Sequence, residues 1–216
     1  EDSYWFNHDN RLAIIADGLG GHKRGDIASR ETINYIKELA KQFENNNNLT
    51  NLMSLMLVDT SKHVRNLADS DNNLKGMSST VICCYFSNEK LYIAHVGDSR
   101  IYLIDDNKIW QLSIDHNIKT MLERQQKSSF NANAPLHALT NVIGGRTCTP
   151  DVYSISLKKN QLYLLATDGL FNMVAKDDIL KIVEDNSFEN FPKKLIAQAN
   201  KNGGCDNITI IGCLIS

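Results

Sequence analysis

Three short apolar runs in this chain end in the same abrupt way. Leu12–Ala16 runs into Asp17-Gly18, Leu91–Val96 into Gly97-Asp98, and Leu162–Thr167 into Asp168-Gly169. A fourth acid, Asp206, stands just before the run Ile208–Ile215. Apolar runs of strand length bounded by turn residues mark buried strands. A carboxylate at the mouth of a buried strand is unfavourable unless a positive group neutralises it. Any one Asp-Gly pair also reads as an ordinary turn. Repetition at successive strand ends points instead to a bound divalent cation, and to more than one. Only oxygen ligands recur, which suits Mg2+ or Mn2+ rather than Zn2+.

A chain of 216 residues suits one domain with a substantial core. Its 23 basic and 25 acidic residues leave a net charge of −2, which argues against nucleic acid or an anionic membrane as partner. No apolar run is long enough to span a bilayer and no charged-then-apolar leader is read, so a cytoplasmic protein is expected. The five cysteines, Cys83, Cys84, Cys148, Cys205 and Cys213, show no C-x-x-C spacing. They read as small buried thiols of a reducing compartment.

Patterning fills in the frame. A strand at Ser3–Phe6 turns into Leu12–Ala16, and a helix capped by Asp26 follows over Ile27–Glu44. A second amphipathic helix is expected at Leu49–Ala68. Val81–Phe86, Lys90–Val96, Arg100–Ile104 and Lys108–Leu112 read as strands of one antiparallel meander. A short helix at Ile118–Gln126 precedes a polar Gln125–Pro135 segment that reads as an exposed insertion. Val152–Leu157 and Gln161–Thr167 are expected to form a hairpin turning at Lys158-Lys159-Asn160. Helices at Lys176–Asp185 and Phe191–Lys201 and a strand at Asn207–Leu214 complete the chain. The expected fold is a layered α/β sandwich, with two mostly antiparallel sheets packed face to face and flanked by pairs of helices.

Other chemistries fail on spacing. The glycines of Gly18–Gly25 fit neither G-x-G-x-x-G nor G-x-x-x-x-G-K-[ST], and Asp17 repels a phosphate unless a cation lies between. With that cation present, the Gly18 carbonyl can itself be a hard oxygen ligand. Asp69-x-Asp71-x-Asn73 starts like a calcium loop, but Leu74 takes the glycine position and no Glu closes it. No G-x-S-x-G or H-E-x-x-H is present. His95, inside an apolar strand, reads as a satisfied core or edge residue.

The ordered set Glu1–Ser3 (EDS), Ala16–His22 (ADGLGGH), His95–Arg100 (HVGDSR), Asp115–Asn117 (DHN), Ala166–Leu170 (ATDGL) and Cys205–Thr209 (CDNIT) resembles the type 2C, metal-dependent protein serine/threonine phosphatases of bacterial type. The resemblance implies a single catalytic domain over 1–216, with a flap insertion at about 114–144. It implies two Mn2+ or Mg2+ ions sharing a water. Asp17 would bridge them, with Asp168 and Asp206 completing one site, and Glu1 and the Gly18 carbonyl the other. Asp2 would hold a water in the outer shell, and Asp98 with Asp168 would take a third ion. The implied reaction is hydrolysis of phosphoserine and phosphothreonine in proteins, reversing a serine/threonine kinase, by a monomer. Leu19 occupies the place where some members carry a proton-donating histidine, which leaves His22 and metal-bound water as candidate donors. Members of the family usually carry a phosphate-binding arginine a few residues ahead of the Glu-Asp pair, a place that falls before Glu1 and is not read here. The competing expectation is a catalytically inactive module on this fold that binds phosphoproteins or a kinase, and a third is a two-metal phosphodiesterase. The complete set Asp17, Asp168 and Asp206 favours turnover.

Overall fold

The computed structural model describes residues 1–9, 11–21, 23–43, 46–125 and 135–216. One sheet has the strand order β1 (Ser3–Asn7), β2 (Leu12–Ala16), β5 (Val81–Phe86), β6 (Lys90–Val96), β9 (Asp151–Ser156). The other runs β11 (Ile210–Leu214), β10 (Leu162–Ala166), β7 (Arg100–Asp105), β8 (Lys108–Gln111). A short ribbon joins β3 (Gly18–Leu19) to β4 (Ser78–Ser79). All pairings within the sheets are antiparallel.

The two sheets pack face to face through Ala13, Ile15, Ile82, Cys84, Ile93, Tyr163 and Leu165. The alternate residues of the same strands face helices. Leu12, Ile14, Val81 and Cys83 meet Ile33, Ile36, Met53 and Leu57 of α1 (Lys23–Leu39) and α2 (Leu49–Ser70). Tyr102, Leu164 and Ala166 meet α4 (Asp168–Phe171), α5 (Lys176–Glu184) and α6 (Phe191–Lys201) through Leu170, Ile179, Phe191 and Leu195. Strands covered on both faces lose the polar alternation of a half-exposed sheet, which is why β2 and β10 are buried along their whole length. The expected α-β-β-α sandwich is the observed one.

Three local expectations are corrected. The strands of Val81–Leu112 do not form one meander: β5 and β6 belong to the first sheet, β7 and β8 to the second, and Gly97-Asp98-Ser99 crosses between them. Lys158-Lys159-Asn160 is likewise a crossing rather than a hairpin turn. Leu157 N–H bonds the Glu89 carbonyl beside the first sheet, and Asn160 N–H bonds the Ile215 carbonyl beside the second. Periodicity reports that a segment is a strand and says nothing of which sheet it joins. Asp26 lies in the first turn of α1, which starts at Lys23, rather than capping it. A carboxylate is favourable in either place, because both face the positive end of the helix dipole. Buried Cys83, Cys84 and Cys213 match expectation, whereas Cys148 is half-buried and Cys205 exposed.

The segment 114–144 opens with α3 (Ile118–Arg124), capped by the Asn117 side chain. It closes against the site through two hydrogen bonds between Ser79 and Ile143. The expected insertion falls largely on 126–134, outside the described residues.

Candidate metal centre

Register gathers the acids at one end of the sandwich. The start of β1 pairs with the end of β2, Ser3 opposite Ala16, so Glu1-Asp2 lies beside Asp17. The start of β5 pairs with the end of β6, Val81 opposite Val96, so Asp98 leaves the first sheet at the same end. The end of β10 pairs with the starts of both β7 and β11, Ala166 opposite Arg100 and Ile210, so Asp168 and Asp206 join them. Glu1, Asp17, Gly18, Asp98, Asp168 and Asp206 line one cavity of about 290 Å³, together with His137 of the segment 114–144.

Asp17, Asp98, Asp168 and Asp2 are held from behind. Asp17 N–H donates to the Thr80 hydroxyl at 3.1 Å, and the Asp17 carbonyl accepts from Thr80 N–H at 2.8 Å and the Ser79 hydroxyl at 2.9 Å. Thr80 also shares a 2.8 Å hydroxyl contact with Ser99, next to Asp98. Gly97 has φ +105°, and a Cβ there would run into the Thr80 side chain. Only glycine lets the crossing strand come this close. Asp168 opens α4, where Asn172 donates to its Oδ2 at 3.1 Å. Asp2 accepts from the Thr167 hydroxyl at 2.8 Å. Below the cluster, Arg100 bonds Asp115 from both Nε and Nη2 and stacks on Phe171 of α4 at 3.8 Å, tying β7 to the helix that carries Asp168.

The electrostatics require a counter-charge. Burial pushes the Asp17 carboxyl up to about 9, with Asp2, Asp168, Asp206 and Asp98 adding to the rise. Burial and then Asp168 and Asp115 raise Asp98 to about 7. Asp2 and Asp168 are also raised, chiefly by burial. Among the described residues, Asp168 Oδ1 is buried without a hydrogen-bond partner. A buried acceptor aimed at no donor, among carboxylates that repel one another, fits a hard divalent cation. A methyl-sized carbon at Gly25 would strike the Glu1 carboxylate and the Gly18 carbonyl, so the first turn of α1 closes directly on those two oxygens. The residue set thus fits oxygen-coordinated Mn2+ or Mg2+. His22 lies outside the described residues.

A second cluster has the composition of a metal site but the wrong protons. One atom each from His95, His116 and Asp151 lie within 4.8 Å of one another. His116 Nδ1 accepts from Gly97 N–H at 3.2 Å and faces the Asn141 amide at 3.1 Å, while Nε2 faces Asp151 Oδ2 at 3.3 Å. A neutral imidazole ligating through Nε2 would need its proton on Nδ1, where two N–H groups already point. The arrangement is a His–Asp pair that ties the Gly97 turn to Asn141 and Asp151. His95 is buried as expected but not satisfied. It stacks on His116, neither ring nitrogen has a hydrogen-bond partner among the described residues, and burial followed by His116 lowers its pKa to about 4, so it stays neutral. Thr80 and His137 were not singled out in the sequence, because isolated residues of these types carry no spacing signal, and Arg100 was marked only as the end of the HVGDSR motif.

The family described as Protein phosphatase 2C matches residues 1–207. A serine/threonine phosphatase stp of Listeria welshimeri is 31% identical over 224 residues, covering 95% of this chain and 85% of the relative. The S. agalactiae serine/threonine phosphatase superposes with a TM-score of 0.87 at 25% identity, covering 100% of this chain and 99% of that one. The catalytic domain of the serine threonine protein phosphatase PstP, solved in complex with two manganese ions, superposes at 0.86 with 25% identity, covering 100% and 91%.

Proposed function

The chain belongs to the protein phosphatase 2C family, and we propose that the acid-lined cavity at the end of its sandwich is the centre of catalysis. The protein is a metal-dependent serine/threonine phosphatase, hydrolysing phosphate monoesters on proteins. The observation that carries the site assignment is the convergence of five strand-end carboxylates on one cavity, with Asp168 Oδ1 buried and unpartnered among the described residues.

Asp17 would contact two Mn2+ or Mg2+ ions. Asp168 and Asp206 would complete one site, Glu1 and the Gly18 carbonyl the other, and Asp98 with Asp168 a third. Asp2, held by Thr167, would serve the outer shell. When bound, such ions acidify water and screen phosphate charge during in-line attack. The protein's own part is positioning. Thr80 and Ser99 fix the two loops that carry Asp17 and Asp98, and Arg100 clamps the helix that carries Asp168. Preorganised groups of this kind need no rearrangement as the reaction proceeds.

The rest of the reading is one catalytic domain over 1–216 with its flap at 114–144, working as a monomer in the cytoplasm opposite a serine/threonine kinase. Among the described residues no helix is long and apolar enough to cross a membrane. The intact acid set supports turnover over the inactive-module reading.

The test is release of phosphate from p-nitrophenyl phosphate and from a phosphothreonine peptide with Mn2+, then with EDTA. Chelator-sensitive release from both is expected, and Asp17→Ala, Asp168→Ala and Asp206→Ala should each abolish it while preserving the circular dichroism spectrum. Tight Mn2+ binding with no release would support the inactive module. Preferential cleavage of a diester would support the phosphodiesterase.

A further inference from the structure

The cavity holds its acids but shows little that can give a proton to a leaving group. Of its described lining residues, Glu1, Asp17, Asp98, Asp168 and Asp206 are acids assigned to cations, and Leu19 and Leu139 have nothing to donate. His137 is the one basic side chain among them. Its placement is built rather than incidental. On either side of it, the Leu136 carbonyl accepts from Lys119 N–H at 2.9 Å and the Ala138 carbonyl from Ile118 N–H at 3.0 Å. Ala138 N–H closes a turn on the Pro135 carbonyl, and Leu139 bridges Asn117. The segment is thereby stitched to the first turn of α3, with His137 at the cavity wall. His137 and Asp98 also line the adjoining groove of about 560 Å³, which Arg100, Lys119 and Phe171 border.

From this placement we propose that His137 is the general acid of the reaction, protonating the seryl or threonyl oxygen as it leaves phosphorus. The proposal rests on the phosphatase reading of the same cavity. A water oxygen forms the new bond to phosphorus as the bond from phosphorus to the side-chain oxygen breaks. The imidazolium of His137 gives its proton to that oxygen, yielding the free hydroxyl, and the proton released by the attacking water restores the imidazolium. Imidazole suits the task because the residue type exchanges protons near neutral pH. An alkoxide is a strongly basic leaving group and needs the proton. A nitrophenolate is stable without it.

The experiment compares the wild-type protein with His137→Gln and His137→Ala on a phosphoserine peptide and on p-nitrophenyl phosphate, with His22→Gln in parallel. The expected result is a fall in kcat of about 100-fold on the phosphoserine peptide. On p-nitrophenyl phosphate the fall should be less than about threefold, with Mn2+ affinity by calorimetry and the melting temperature unchanged. A series of aryl phosphates should show the loss growing with leaving-group basicity, and imidazole added to His137→Ala should restore part of the slow reaction. Equal losses on both substrates, a change in KM alone, no loss at all, or the same leaving-group dependence in His22→Gln instead would each overturn the assignment. If the wild-type protein itself cleaves neither substrate, the phosphatase reading fails, which is a separate outcome.

Discussion

Without metal, this protein should lose stability as the pH rises through neutrality, and Asp17 should carry much of that loss. Its carboxyl moves from an ordinary value of 3.8 to about 9 on folding. The folded state therefore binds the proton more tightly than the unfolded chain, and the stability this confers is fully present below about pH 4. It drains away as the pH climbs toward about 9, because the unfolded state is then ionised at no electrostatic penalty. Each pH unit inside that window is worth about 1.4 kcal/mol, so moving from about pH 6 to about pH 8.5 sets a ceiling of about 3 kcal/mol for Asp17. Asp98, raised to about 7, adds to the fall only between about pH 6 and pH 7. Counter-ions and water entering the cavity reduce the sum to roughly 1–3 kcal/mol.

The assay is thermal unfolding in a chelator at the two pH values, followed by circular dichroism. At roughly 2–4 °C per kcal/mol for a chain of this size, the melting temperature should fall by about 2–12 °C. Asp17→Asn cannot ionise and should remove at least half of that slope. The variant should also exceed the wild-type melting temperature at the higher pH, although it is the inferior protein once Mn2+ is added. Saturating Mn2+ should reverse the order, since an ion at about 100 times its Kd contributes about 2.7 kcal/mol to whichever protein binds it. A flat or rising wild-type melting curve between the two pH values, or an unchanged slope in Asp17→Asn, would refute the reasoning.

Two other substitutions test the scaffold behind the acids. Arg100→Met strands Asp115, whose side chain is 7% exposed, and removes the stack on Phe171, so unfolding free energy in urea should drop by about 3–5 kcal/mol. Arg100→Lys keeps the charge but not the paired contact and should fall between that variant and the wild type. Gly25→Ala places a carbon against the Glu1 carboxylate and the Gly18 carbonyl; calorimetry should show weakened binding of one Mn2+ with the other retained, and unfolding should shift by no more than about 2 kcal/mol.

What was legible in the sequence was whatever depends on local pattern. β5, β6 and α6 begin and end where the residues say, because Ser87-Asn88-Glu89 is a turn between two apolar runs and Pro192 sits where the first turn of a helix accepts it. The acids were legible because each follows or precedes a buried strand, and antiparallel register then brings them together with no further information. The partition of strands between two sheets was not, since the periodicity of β9 and β10 marks each as a strand without saying which neighbour it pairs with. The ribbon of β3 and β4 escaped for the same reason, being two residues on each side and held by tertiary contacts. Thr80 is the sharpest case. A threonine after two serines carries no signal, yet its hydroxyl joins the Asp17 amide to Ser99 across the two sheets.

The proton that Asp17 keeps has a consequence for metal loading. Near pH 7 a carboxyl with a pKa of about 9 is protonated, and burial and the charges of Asp2, Asp168, Asp206 and Asp98 help to keep it so. A divalent cation requires the ionised oxygen, so binding must expel that proton, and affinity must rise with pH across the interval where the free protein holds it. Calorimetric titration of Mn2+ in two buffers of different ionisation enthalpy separates this proton from the heat of coordination. At about pH 7 roughly one proton should leave per protein on filling the centre, falling toward zero above about pH 9.5, and Asp17→Asn should release fewer. Release that is independent of pH, or equal in the variant, would mean that Asp17 is already ionised in the free protein. The repulsion among the acids would then have to be relieved by another charge.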